Sequence, residues 1–193
     1  MKRDVVIVGG GIVGLATAFR LLKQNSRLKI LLLEKESKLA AHQTGNNSGV
    51  LHAGLYYKPG SEKAKLSVSG LQQMTTFCRE HGIAHEQCGK IVVATEENEL
   101  PQLKTLWERG NANGLQGLRK LNPAQIKEIE PHAAGIAAIH VPQEGIADYP
   151  AVCEKLAGLI RNAGGEIKLG ARVEKIAADA DGSRDPEARL GNL

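Results

Sequence analysis

Asp4-Val5-Val6-Ile7-Val8-Gly9-Gly10-Gly11-Ile12-Val13-Gly14 decides the fold of this chain. Val5 to Val8 is a short apolar run rich in β-branched residues, the pattern of a parallel strand buried on both faces. It leads directly into a G-x-G-x-x-G at a strand-to-helix turn. The three glycines of that pattern have separate tasks. Gly9 makes the tight turn, Gly11 lets the backbone approach a pyrophosphate, and Gly14 lets the helix pack close to the strand. The phosphates then sit at the positive end of the helix that begins at Ile12 and Val13, where backbone N–H groups point outward. Leu28 to Leu33 forms a second apolar run closed by Glu34, twenty residues after Gly14. A carboxylate there can accept hydrogen bonds from an adenosine ribose, and it would repel a 2′-phosphate. Strand, glycine loop, helix, strand and acid together specify a dinucleotide-binding half-site, which a bare glycine-rich turn does not. The fingerprint does not separate FAD from NAD.

Composition narrows the setting. The 193 residues can bury a sizeable core, and 42% hydrophobic with 24% charged content is ordinary for a soluble globular protein. Aromatic residues make up only 3%, so no stacking platform for nucleic acid is evident, and the net charge of +4 is dispersed. Such a charge permits a weak peripheral attraction to an anionic membrane surface. Cys78, Cys88 and Cys153 are far apart and form no metal-ligand or C-x-x-C spacing, which suits reduced thiols in a cytoplasmic protein. No apolar stretch reaches the roughly 18 residues of a membrane span, and Met1-Lys2-Arg3 leads into a strand rather than a cleavable signal.

Beyond Glu34 the chain changes character. Residues 37–60 have little periodicity but many glycines, asparagines and hydroxyls, the composition of a functional loop. Ser61 to Cys78 reads as a helix closed by His81-Gly82. Lys90 to Thr95 reads as a strand, with Thr95 as cap of a helix that carries Leu100, Leu103, Leu106 and Trp107 on one face. Asn122-Pro123 starts another helix, and Ile136 to Val141 another strand. After Gly145-Ile146-Ala147-Asp148-Tyr149-Pro150 comes a helix bearing Val152, Leu156, Leu159 and Ile160, then two short strands at Glu166–Leu169 and Ala171–Ile176. The expected fold is α/β: a Rossmann-like domain over 1–80 and 146–178, interrupted by an α+β piece over 81–145. Residues 179–193 show no period and are expected to be disordered or an aberrant tail.

The run His42-Gln43-Thr44-Gly45-Asn46-Asn47-Ser48-Gly49-Val50-Leu51-His52-Ala53-Gly54-Leu55-Tyr56-Tyr57-Lys58-Pro59-Gly60-Ser61 resembles the signature of L-2-hydroxyglutarate dehydrogenases and oxidases. These belong to the D-amino-acid-oxidase-like, FAD-dependent superfamily, with glycerol-3-phosphate dehydrogenases and glycine or sarcosine oxidases. Gly145 to Pro150 and Gly170-Ala171-Arg172-Val173 are similar to the superfamily's return to its FAD domain. The resemblance extends over residues 4 to about 178. It implies FAD rather than NAD, and oxidation of a small-molecule 2-hydroxy acid with electrons passed to oxygen or a membrane quinone. A cytoplasmic protein, peripheral on the inner face of the cell membrane, would suit the quinone route. Related substrates are glycerol 3-phosphate or an amino acid.

Residue by residue, the resemblance adds Thr44, Asn47, Ser48, Gly49 and Val50 as flavin contacts to Gly9, Gly11, Ile12, Val13, Gly14 and Glu34. Uncharged donors beside glycines suit the wrapping of a pyrophosphate and an isoalloxazine edge, although an asparagine-rich turn can also hold itself together. Lys35 either covers the adenosine or is solvated. Val173 lends backbone groups to the adenine while serving as a core valine. His52 is the catalytic candidate: oxidising a 2-hydroxy acid removes the hydroxyl proton as a hydride leaves the α-carbon, and an imidazole is a suitable base. It could equally polarise the flavin or hold the loop. Tyr56, Tyr57 and Lys58 either reach a dicarboxylate or cover a surface. His81, His85, His132 and His140 lack ligand spacing and are expected to be structural or exposed. Members of the family are about twice this length, so the chain is expected to be C-terminally truncated, and a catalytically inactive nucleotide-binding fragment is the competing reading.

Overall fold

The structure is a computed structural model and describes residues 3–178 and 184–190. Its elements run β1 (Val5–Val8), α1 (Ile12–Gln24), β2 (Ile30–Leu33), β3 (Val50–Leu51), α2 (Glu62–His81), β4 (His85–Glu86) and β5 (Lys90–Ala94). Then come α3 (Leu100–Ala112), β6 (Arg119–Leu121), α4 (Pro123–Ile129), β7 (Ala137–Val141) and β8 (Gly145–Ala147). The last are α5 (Tyr149–Asn162), β9 (Glu166–Lys168), β10 (Ala171–Ala178) and β11 (Arg184–Leu190). Two compact units divide the chain: Met1–Asn47 with Asp148–Leu193, and Ser48–Ala147. Residues 48–80, placed with the glycine loop on sequence grounds, therefore pack with the inserted block. The reason is local: Val50 and Leu51 pair with β8, and Ala53 and Leu55 enter the inserted block's core.

In the first unit, β1, β2 and β9 form a parallel sheet in that order. β2 is the central strand, with Ile30, Leu32 and Leu33 buried. β1 was expected to be buried on both faces. Among the described residues it pairs only with β2, and Val8 is 57% exposed. Leu15, Ala18 and Leu22 give α1 one buried stripe at helical spacing, packed against α5, whose Val152, Leu156 and Ile160 face inward. Burying each of these large aliphatic side chains contributes roughly 1.5–3 kcal/mol. Asp148 caps α5 by accepting from Ala151 N at 3.0 Å, with Tyr149-Pro150 as its first residues.

β10 and β11 form an antiparallel pair whose register shifts between Val173 and Lys175. Residues 184–190, expected to belong to a disordered or aberrant tail, form the strand β11 here. The segment lacks an alternating apolar pattern, so its strand is set by backbone pairing with β10, which periodicity cannot reveal. Residues 179–183 and 191–193 of that expected tail lie outside the described residues.

The second unit has two small antiparallel sheets. In one, β7 lies between β5 and β6. Its Ile139 and Val141 join Ala53, Leu55, Leu106 and Leu115 in one core, and Ala138 joins Leu121 and Ile126 in another. In the second sheet β8 lies between β3 and β4. β4 and β6, two and three residues long, are too short and too charged to read from sequence. α2 begins at its cap Ser61 and ends at Gly82, whose φ of 65° is the left-handed conformation glycine favours. Thr95 does not cap the next helix. Glu96 and Glu99 instead form a capping box on the short 3-10 turn Glu97–Glu99 before α3, and Glu99 also accepts from Thr95 N at 2.6 Å, which lowers the Glu99 pKa.

None of the three cysteines is in a disulfide; Cys78 and Cys153 are buried and Cys88 is exposed. Burial, with Glu154 nearby, pushes the Cys153 thiol up to about 11. Maleimide labelling of the native chain near neutral pH should modify Cys88 rapidly and leave Cys78 and Cys153 protected until denaturant is added. Rapid labelling at Cys153 would contradict the α1–α5 packing.

Candidate functional site

The glycine loop of the first unit is built around a buried carboxylate. Glu34 is only 7% exposed, and its Oε2 accepts from Gly10 N at 2.6 Å while Oε1 accepts from Glu36 N at 2.9 Å. Its own backbone N donates to Lys168 O and its carbonyl accepts from Ala171 N. The acid that closes β2 thus ties the glycine loop to the ends of β9 and β10. Each carboxylate oxygen keeps a further lone-pair direction that a ribose hydroxyl could use. Gly10, the variable position of the fingerprint, was given no role on sequence grounds. A Cβ there would meet Leu39 at 2.7 Å and Glu34 at 3.0 Å, so the Glu34 bond needs glycine.

A Cβ on Gly11 would lie 3.0 Å from Thr44 Oγ1. Gly9 has φ +111° with nothing within 4 Å of the position a Cβ would take, so the loop has an open side. A Cβ on Gly14 would lie 2.1 Å from Gly9 O, which enforces close contact between α1 and the loop. Gly11 itself brings no side chain to cap α1, no acid sits in the helix's first turn, and Val13 is 78% exposed. That leaves a positive helix end beside an open loop, as an anionic pyrophosphate requires. Thr44 Oγ1 accepts from Ile12 N at 3.1 Å and brings the next loop onto this helix end.

The loop up to residue 47 largely satisfies itself. Asn46 Nδ2 donates to the carbonyls of Ala41 and His42, and Asn47 Nδ2 to those of Gln43 and Thr44. The side-chain amide of Asn47 is therefore engaged in holding the turn. Lys35 is half-exposed and pairs with Glu36 at 3.5 Å. A hydrogen bond from His42, aided by Lys35, holds the Glu36 carboxyl below the usual range against the opposing effect of desolvation. Val173 lies on β10 where the register shifts.

Ser48, Gly49, Val50 and His52 belong to the second unit. Ser48 is exposed, and Gly49 (φ +73°) has its carbonyl bonded by Ala147 N at 2.9 Å. Val50 pairs with Ile146 in β3. His52, 48% exposed, directs Nδ1 toward Glu144 Oε2 at 3.7 Å. Glu144 is fully buried, accepts from Ala53 N at 3.0 Å and forms an ion pair with Lys90. The Lys90 ammonium also lies 4.6 Å from the centre of the Tyr56 ring. Neither Glu144 nor Lys90 was singled out from the sequence, because isolated charges usually lie on the surface and only the β3–β8 register makes residues 52 and 144 neighbours. A cleft of about 440 Å³ borders Ala53 and is lined in part by Thr75, Arg79, Gln87 and Gln143. A larger hollow of about 600 Å³ lies against β5 and α3 and contains none of the expected site residues.

His81 sits against Phe77, His85 Nδ1 bonds Ile83 O, and His140 Nδ1 accepts from Arg119, roles that are structural in each case.

A profile of FAD-dependent oxidoreductases matches residues 4–190. The chain belongs to the FAD-dependent oxidoreductase family. Within that family it is 51% identical over 176 residues to an L-2-hydroxyglutarate dehydrogenase of Indibacter alkaliphilus, covering 91% of this chain and 44% of that protein. It is 49% identical over 173 residues to the mitochondrial L-2-hydroxyglutarate dehydrogenase of Pongo abelii, covering 90% of this chain and 41% of that one. Among solved structures it superposes on the dithionite-reduced, FAD-bound L-α-glycerophosphate oxidase of Mycoplasma pneumoniae with a TM-score of 0.88 at 29% identity, covering 97% and 50% of the two chains. The chain thus spans less than half the length of the curated relatives it matches. FAD, the family's cofactor, fits the first unit's residues at its ADP end: an open Gly9, an α1 with no acid in its first turn and a buried acid at the end of β2.

Glu34→Gln keeps the size of the side chain but turns one acceptor into a donor facing a backbone N–H. It should lower stability by roughly 1–3 kcal/mol, read from the urea midpoint at unchanged slope. An unchanged midpoint would show that the Gly10 and Glu36 bonds do not hold the loop.

Proposed function

We infer that this chain carries the FAD-binding part of an enzyme that oxidises L-2-hydroxyglutarate to 2-oxoglutarate. The observation that supports it best is the identity of about half over some nine-tenths of the chain to proteins named for that reaction. The arrangement around residues 42–57 is compatible with it.

In this reading Gly9, Gly11, Gly14, Ile12 and Val13 hold the pyrophosphate at the start of α1, with Thr44 fixing the loop beside it. Glu34 receives the ribose hydroxyls, Val173 offers backbone to the adenine, and Lys35 lies at the solvent edge. Ser48, Gly49 and Val50 line the flavin, and Asn47 acts through the turn it stabilises. FAD, when bound, supplies the acceptor for the electron pair of the α-C–H bond. His52 takes the substrate's hydroxyl proton as the carbonyl forms, and its half-exposed ring leaves room for that approach. Electrons leave to oxygen or to a membrane quinone pool, the latter by peripheral association of a cytoplasmic protein with the membrane's inner face. No described helix is long and apolar enough to cross a membrane.

The test is anaerobic reduction of the FAD-loaded protein, followed by loss of the flavin's visible absorbance. L-2-hydroxyglutarate should bleach it, whereas glycerol 3-phosphate and glycine should not. Bleaching by glycerol 3-phosphate in preference would overturn the substrate assignment. His52→Asn should slow the bleaching by roughly 100-fold or more if His52 is the base, and an unchanged rate across pH would remove it from that role.

A further inference from the structure

The second unit holds a buried charge that the cofactor and substrate roles leave unused. Glu144 is fully buried, and a buried carboxylate persists only where partners compensate its lost hydration. Its partners are unusually placed. Oε1 accepts from Ala53 N, the residue directly after His52, at 3.0 Å. Oε2 is ion-paired with Lys90 and lies 3.7 Å from His52 Nδ1. The backbone makes this arrangement rigid. β3 and β8 pair Leu51 with Gly145, so the residues just beyond that pair, His52 and Glu144, are brought side by side. Gly145 admits no side chain, since a Cβ there would lie 2.1 Å from Glu86 O. One carboxylate therefore fixes the backbone after His52 and faces one nitrogen of its ring.

We propose that Glu144 is a positioning residue for His52: its buried carboxylate holds the imidazole with the proton on Nδ1, leaving the lone pair on Nε2. This rests on the reading of His52 as the base. The two ring nitrogens are distinct, and the proton resides on the one that faces an acceptor. Nδ1 faces the carboxylate, while no described residue engages Nε2. At 3.7 Å the contact is electrostatic rather than a hydrogen bond, and contacts of this kind shorten when substrate is bound. The other groups facing His52 are Tyr56, edge to face at 6.4 Å, and beyond it Lys90. Neither offers Nδ1 an acceptor. Lys90 offsets the charge of Glu144, so removing Lys90 alone would leave the carboxylate buried and unpaired.

The experiment is a two-bond proton–nitrogen correlation spectrum of the chain labelled at histidine nitrogen, with FAD present. His52 is assigned by the signals lost in His52→Asn. In the unmodified chain His52 should show the Nδ1–H tautomer. Glu144→Gln combined with Lys90→Met removes both charges together, so neither is left unpaired. The Gln amide oxygen still accepts from Ala53 N, and its NH2 now faces Nδ1. In that variant His52 should move to the Nε2–H tautomer while the other five histidine signals stay in place. Flavin reduction should slow by about ten- to a hundredfold, less than in His52→Asn, with KM little changed. An Nε2–H tautomer in the unmodified chain overturns the proposal even if the double variant fails to fold. So does an Nδ1–H tautomer that the double variant leaves unaltered, and in that case the base reading stands or falls separately on His52→Asn. Unchanged flavin reduction in His52→Asn overturns the base reading and this inference with it.

Discussion

The hydrogen bond from Gly10 N to the Glu34 carboxylate holds the first unit's functional end together. It crosses from the glycine loop to the end of β2, and Glu34's own backbone is bonded to Lys168 and Ala171 at the ends of β9 and β10. One buried acid thereby fixes the loop against three strands. It also fits a glycine at a position the fingerprint leaves free: a Cβ at Gly10 would crowd Leu39 at 2.7 Å and the Glu34 side-chain stem at 3.0 Å. The acid proposed to receive the ribose is therefore also an acid that the loop needs. Losing it weakens the fold and the site together.

The second unit repeats the device with different partners. Glu144, also buried, accepts from the backbone after His52 and pairs with Lys90. In both units a carboxylate taken out of water is offset by backbone N–H groups, and in the second by an ammonium as well. In each case it fixes a loop: the glycine loop in one unit and the backbone after His52 in the other.

Much of this was legible in the sequence because it is local. The β1–α1–β2 succession, the twenty-residue spacing to Glu34, the helix start at Asn122-Pro123 and the Gly82 stop depend on near neighbours and on backbone geometry. The features that escaped depend on pairing across the chain. β4 and β6 exist because longer strands recruit them, and β11 because β10 does. Glu144 meets His52 across 92 positions of sequence through the β3–β8 register. The loop of residues 42–47 showed the opposite: its asparagines invited a ligand-binding reading, yet their amides bond the turn's own carbonyls. A polar side chain in a glycine-rich loop can serve the ligand by shaping the loop rather than by touching it.

In the proposed reading the glycine loop and Glu34 hold the ADP portion of FAD with a free ribose 2′-hydroxyl. The test is flavin fluorescence during titration of the chain, followed by competition with ADP and with its 2′-phosphorylated counterpart. Quenching on binding, reversed by ADP and not by the 2′-phosphorylated nucleotide, is the predicted result. Flavin fluorescence indifferent to the protein, or equal displacement by both nucleotides, would contradict it.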